Sequence, residues 1–118
     1  MKLTQVSDDG DLLRLEVAGR VVQANAPSDG EQIDRLLGGP DYARNVLLSL
    51  METEFIDSTG LGWLLACHKK FSKAGTRLVI HSIPPGTLDT LKMMRLETVL
   101  HIAEDETAAM TLVQGENP

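Results

Sequence analysis

Asp57-Ser58-Thr59-Gly60-Leu61-Gly62 sets a carboxylate, two adjacent hydroxyls and two glycines directly after the apolar pair Phe55-Ile56. The order reads as a strand end, a polar turn and the start of a long amphipathic helix. Ser58 is therefore expected at a helix mouth, where unpaired backbone N–H groups and the helix dipole favour negative charge. A hydroxyl there, beside a carboxylate and with no base nearby in sequence, suits receiving a phosphate better than attacking a substrate. The plainer alternative is an N-cap, the commonest task of a serine in that place. Asp57 is expected to hold the loop by accepting backbone or hydroxyl hydrogen bonds and to orient Ser58, or to be a turn former with no chemistry.

The helix that follows has two distinct sides. At 3.6 residues per turn, Leu61, Leu64, His68 and Phe71, with Cys67 close by, fall on one side and form a core stripe. Ser58, Gly62, Ala66, Lys69 and Lys73 fall on the other. Small residues beside Ser58 leave a flat strip on which a partner surface can approach the backbone closely. Trp63 lies on the flank of this strip, either as a docking contact or as an edge of the core. The candidate partner-binding residues are thus Trp63, Ala66 and Lys69, and the candidate supports of Ser58 are Asp57, Thr59, Gly60 and Gly62. Gly62 and Ala66 equally suit a helix passing close to a neighbouring element, and Lys69, Lys70 and Lys73 suit a solvated helix end where cations complement the dipole.

Other chemistries fit poorly. An aspartic-protease loop would lack the extra residue between Asp57 and Gly60, and that chemistry needs two carboxylates sharing a proton. Gly60-Leu61-Gly62 lacks the third glycine of a dinucleotide fingerprint and the lysine of a phosphate-binding loop. A serine hydrolase would need a histidine at Ser58, yet His68 is nearly three turns along the same helix, and His81 and His101 lie in expected strands. Cys67 and His68 are adjacent, not spaced for joint ligation, and no second cysteine exists, so neither a structural metal nor a cofactor is expected.

The elements that position this turn follow from patterning. A chain of 118 residues is expected to close one core. Leu3 to Ser7 and Leu13 to Val17, joined by Asp8-Asp9-Gly10-Asp11, read as an N-terminal hairpin whose second strand ends at Gly19. Ser28 with Glu31 forms a capping box opening a helix with Ile33, Leu36 and Leu37 as its stripe, stopped by Gly38-Gly39-Pro40. Val46 to Met51 and Leu78 to His81 are nearly unbroken apolar runs, expected near the middle of a sheet. The helix from about Ser58 to Lys73, stopped by Gly75, suits a crossover between two parallel strands. Pro85 opens a further helix with Leu88, Leu91 and Met94 on one face. Val99 to Ile102 is a short strand and Thr107 to Val113 a terminal helix. The expected fold is α/β, a mixed and mostly parallel sheet backed by about four helices, with one domain over residues 1–114 and a frayed tail over 115–118.

Charge and length narrow the partners. A net charge of −6 and a pI near 4.9 argue against duplex nucleic acid or an anionic membrane as the main partner. No stretch reaches the roughly 18 uncharged apolar residues that span a bilayer. The polar start and the single cysteine suit a reducing cytoplasm.

Asn45-Val46-Leu47-Leu48-Ser49-Leu50, followed by Phe55 to Gly62, resembles the signature of the STAS family, the sulphate-transporter and anti-sigma-factor-antagonist domains. The likeness continues through Ala74 to Ile80 and Ser82-Ile83-Pro84-Pro85, and weakens before about residue 44. It implies that Ser58, the serine directly after the Asp, is a phosphoacceptor. It also implies an anti-sigma factor or serine protein kinase as binding partner, a phosphoserine phosphatase that resets the site, and no enzymatic activity. Two departures stand out. The family commonly has an acid soon after the first glycine that ends the hairpin, whereas this chain has Gly19-Arg20-Val21. Met93-Met94-Arg95-Leu96 stands where a small residue followed by Gly-Leu is common, and Arg95 is expected either to turn towards nearby acids or to contact a partner. The missing acid favours a second reading, a constitutive adaptor subunit of a transporter or signalling assembly.

Overall fold

The acidic turn after Ser7 folds the chain back on itself. Gly10 takes a φ of 82°, a region that favours glycine, and its N–H donates to Asp8 Oδ1 at 3.0 Å. In a computed structural model of the chain, which describes residues 2–21, 33, 36, 37 and 42–114, this turn joins β1 (Lys2–Asp8) to β2 (Leu12–Val21) as an antiparallel pair. The strands β3 (Asn45–Ile56), β4 (Leu78–His81) and β5 (His101–Ala103) then add in parallel, giving a five-stranded sheet in chain order. Three helices are described: α1 (Ser58–Ala74), α2 (Pro85–Met93) and α3 (Glu106–Val113), with a 3₁₀ turn at Leu96–Thr98. That is one fewer than the expected four. The helix expected to open at Ser28 lies outside the described residues, apart from Ile33, Leu36 and Leu37, which are helical. The tail expected over 115–118 also lies outside them.

The apolar run in β3 is continuous because the strand is covered on both sides. Val46, Leu48 and Leu50 join the main core with Leu61, Leu64 and Phe71 of α1, while Leu47 packs with Val79, Ala103, Ala109 and Val113 under α3. Tyr42 meets Phe71 edge-on at 4.8 Å between centroids. The main core is otherwise mostly aliphatic, and each buried Leu or Val side chain withdrawn from water contributes about 1.5–3 kcal/mol.

β3 runs five residues beyond the expected end at Met51. Its first part pairs with β4 only from Val46 to Ser49, whereas its last part pairs with β2 up to Val21 opposite Ile56. Two register shifts in the β2–β3 ladder, between Glu16 and Ala18 and between Gly19 and Arg20, bend this extension. The polar turn is thereby carried past the end of β4 before α1 begins. At the other end α1 stops where Gly75 takes a φ of 81° and its N–H donates to the carbonyls of Phe71 and Ser72.

Three local expectations change. His68 is half-buried rather than part of the core, and its ring lies 5.2 Å from that of His101. Met94 is 52% exposed, because α2 ends at Met93 and the chain turns there. The last strand starts at His101, not Val99, since the 3₁₀ turn takes up the preceding residues. Arg95, just before that turn, has a left-handed φ of 57°.

Candidate functional site

The mouth of α1 is built around Asp57. This residue is the N-cap, with extended backbone, and its Oδ1 accepts the Gly60 N–H at 2.9 Å. Its carbonyl accepts the Leu61 N–H at 3.0 Å, and its own N–H donates to the Val21 carbonyl at 3.2 Å. One residue thus closes the first turn of the helix and ties it to the end of β2. The capping task that Ser58 was offered falls to Asp57 instead. An aspartate there satisfies an orphan amide and complements the helix dipole.

Ser58 is the first helical residue and is exposed, as is Thr59. With Gly60 N–H taken by the carboxylate, the first-turn amides of Ser58 and Thr59 are the donors that this cap leaves over. Ser58 therefore stands exposed at the positive end of a 17-residue helix, its hydroxyl without a hydrogen-bond partner among the described residues.

The two glycines divide their work. Gly60 is buried, and a Cβ added to it would stand 2.4 Å from the Val21 carbonyl oxygen and 2.8 Å from Ile56 Cγ2. It is a packing glycine that lets α1 lie against β2, not one that clears the approach to Ser58. Gly62 is exposed and a Cβ there would meet nothing within 4 Å. Gly62, Ala66, Lys69 and Lys73 continue the exposed strip from Ser58.

Trp63 departs from its expected role. Its side chain is only 9% exposed and belongs to the main core, and its Nε1 is buried without a hydrogen-bond partner among the described residues. A ring so placed supports the strip from beneath and offers no docking surface.

Around the mouth the fold adds residues that sequence spacing did not single out. Phe55 is 49% exposed, and the Arg20 guanidinium carbon lies 5.4 Å from its ring centroid. Phe55, Ile56 and Leu61 also line a groove of about 360 Å³ closed on its far side by Pro84, Gly86, Thr87 and Thr90 of the α2 start. The only hint in sequence was Arg20 itself, the base where an acid was expected.

The histidines are engaged elsewhere. His81, 5% exposed, has Nδ1 2.8 Å from Ser82 Oγ, and burial pushes its pKa below the ordinary value, against the opposing pull of Glu106 and Asp105. His101 is pushed down likewise, by burial first and then by His68 and Arg77. No three His, Cys, Asp or Glu side chains converge as a metal would require among the described residues. No described helix is long and apolar enough to cross a membrane.

Comparison with known proteins matches this arrangement. The model of the STAS domain matches residues 4–109. An anti-sigma F factor antagonist from Paenibacillus polymyxa is 30% identical over 67 residues, which cover 57% of this chain and 57% of that protein. The chain therefore spans little more than half the length of that relative. The structure of an anti-sigma factor antagonist from Mycobacterium paratuberculosis superposes with a TM-score of 0.79 at 22% identity, covering 96% of this chain and 95% of that one. The STAS domain of a SulP transporter from Vibrio cholerae superposes with a TM-score of 0.67 at 19% identity, covering 92% and 86%. The two superpositions speak to the fold, and the family match extends over nearly the whole described chain. The chain belongs to the STAS domain family.

Proposed function

We propose that this domain is a phosphorylation-controlled protein-binding switch, an antagonist that holds an anti-sigma factor of serine-kinase type while Ser58 is bare and releases it once Ser58 is phosphorylated. The observation that carries this reading is the exposed Ser58 hydroxyl on the first residue of α1, behind the Asp57 cap and ahead of a flat strip of Gly62 and Ala66. The kinase partner would transfer the γ-phosphoryl of ATP to Ser58 Oγ, releasing ADP and the serine proton. A phosphoserine phosphatase would hydrolyse the ester and reset the site. The domain supplies no catalysis and acts in the cytoplasm.

The switch follows from charge. Phosphorylation adds about −1.5 to −2 units of charge. At a helix N-terminus the fold tolerates this, the dipole offsetting it by about 0.3–2 kcal/mol. A partner surface packed on the strip must instead desolvate a dianion on an already acidic molecule. A loss of about 3 kcal/mol weakens binding more than a hundredfold. The fold survives and the complex does not.

Incubation with ATP and candidate kinases, followed by mass-spectrometric mapping, is expected to place the phosphate on Ser58. Ser58→Asp is expected to weaken partner binding more than tenfold. Label on another residue, or unchanged affinity for Ser58→Asp, would sink the reading.

Arg20 favours a second reading, in which the domain is a constitutive adaptor of a transporter or signalling assembly. Its base stands beside Phe55 where antagonists of this type commonly carry an acid. A pull-down that retrieves transporter subunits and still succeeds with Ser58→Asp would select it.

A further inference from the structure

We propose that the outer edge of β5 is a docking site for an extended aliphatic segment flanked by lysine or arginine, which joins the sheet as a further strand. The site is separate from the mouth of α1. The groove there uses Gly86, Thr87 and Thr90 of α2, whereas the groove beside β5 uses Leu88 and Lys92.

β5 ends the sheet on one side. It pairs with β4 through His101 to Ala103, and among the described residues no strand lies beyond it. An edge strand presents unpaired N–H and C=O groups outward. Three residues span about 10 Å, enough for a short ladder only. Affinity must then come from side chains as well as from the main chain.

The fold provides places for those side chains on both faces. Ile102 packs against the main core and Ala103 joins the smaller core beneath α3, so successive residues of β5 face opposite sides. On the first side a groove of about 420 Å³ runs from Ile102 to Ile83, Leu88 and Lys92. On the second a groove of about 410 Å³ runs to Ala108, Thr111 and Leu112. Ile102, Ala103 and Glu104 line both. The side chains of an added strand alternate in the same way, so each groove receives every second one.

Charge selects the occupant. Glu97, ahead of β5, and Glu104, directly after it, both line the α2-side groove, exposed and in no ion pair among the described residues. Lys92 is the cation that shares the groove with them. Asp105 and Glu106 continue the acidic run, although Asp105 caps α3 and Glu106 lies 3.5 Å from Arg14. A cationic segment thus meets two unpaired carboxylates. A second copy of this chain, with a net charge of −6, would bring its own acids against them. The shortness and charge of the strand guard it against that pairing.

The test uses the whole chain, labelled with nitrogen-15, and an end-blocked peptide of lysine, isoleucine, valine, isoleucine and lysine. The peptide is expected to move the amide resonances of Ile102, Ala103 and Glu104. Two methylated forms separate strand pairing from mere apolar contact, since alternate amides of an extended segment point the same way. One is methylated on the valine amide, the other on both isoleucine amides. One form is expected to bind at least about tenfold more weakly than the parent and the other like it, because ladder hydrogen bonds are lost only where the methyl faces β5. Glu97→Lys combined with Glu104→Lys, both at exposed positions, is expected to weaken the lysine peptide about tenfold and to strengthen one ending in glutamates. No shift, shifts confined to other residues, equal affinity of the two methylated forms, or an unchanged charge preference in the double variant overturns the proposal. So does sedimentation that shows a dimer released by the peptide, which gives the edge to a second copy.

Discussion

Gly60 and Val21 meet so closely that no other residue fits between them, with the Val21 carbonyl 2.4 Å from where a Cβ would be. Gly60→Ala is expected to destabilise the domain by about 3 kcal/mol, because backbone on both sides must move. Gly62→Ala, where a Cβ meets nothing, is expected to stabilise it by about 0.5–1 kcal/mol through helix propensity. Urea unfolding of the two variants checks the pair of signs. Gly62→Ala unfolding earlier than the native chain would show that the strip is not open.

Asp57 closes the first turn of α1 through Gly60. Asp57→Ala is expected to cost about 1 kcal/mol, within the usual range for a lost cap, and Asp57→Asn less than half of that. Thermal unfolding at low ionic strength distinguishes the two. Equal losses would mean that charge, and not the capping hydrogen bond, carries the effect.

Arg95 holds a left-handed φ of 57°, and its side chain makes no ion pair among the described residues. The glycine common at this place in the family answers to that backbone angle. Arg95→Gly is therefore expected to leave stability unchanged or raise it by up to about 1 kcal/mol, despite the entropy that glycine adds to the unfolded chain. A chemical-denaturation midpoint that falls by more than the assay error would show that the arginine side chain has a structural task.

His81 and His101 are both held below their ordinary pKa, first of all by burial. The unfolded chain takes up their protons from about pH 6.5 downward, whereas the folded chain resists. Stability is thus expected to be full above that pH and to decline as pH falls through the native pKa values. His81→Asn is expected to flatten part of the slope. A stability curve that is level between neutral and mildly acidic pH would contradict this assignment.

Much of this was legible in the chain because the informative residues act locally. The hold of Asp57 on the backbone of its turn, the glycine stop at Gly75 and the apolar runs of β3 and β4 each follow from neighbours in sequence, although the cap itself was offered to Ser58. What escaped depended on contacts between distant segments. The extension of β3 to Ile56 is set by pairing with Ala18 to Val21, and the task of Gly60 is set by a carbonyl 39 residues away. Helical spacing put Trp63 on the flank of the exposed strip, yet an indole is large enough to reach inward from a flank position. Met94 fitted an apolar face that the helix ended too soon to form.

Trp63 is the only tryptophan in the chain, and it sits under the first turns of α1 in an apolar surround, its indole nitrogen without a hydrogen-bond partner among the described residues. Its emission is consequently expected to be blue-shifted and to respond to any water admitted there. The molecule carries its own optical gauge, five residues from Ser58, that needs no attached dye.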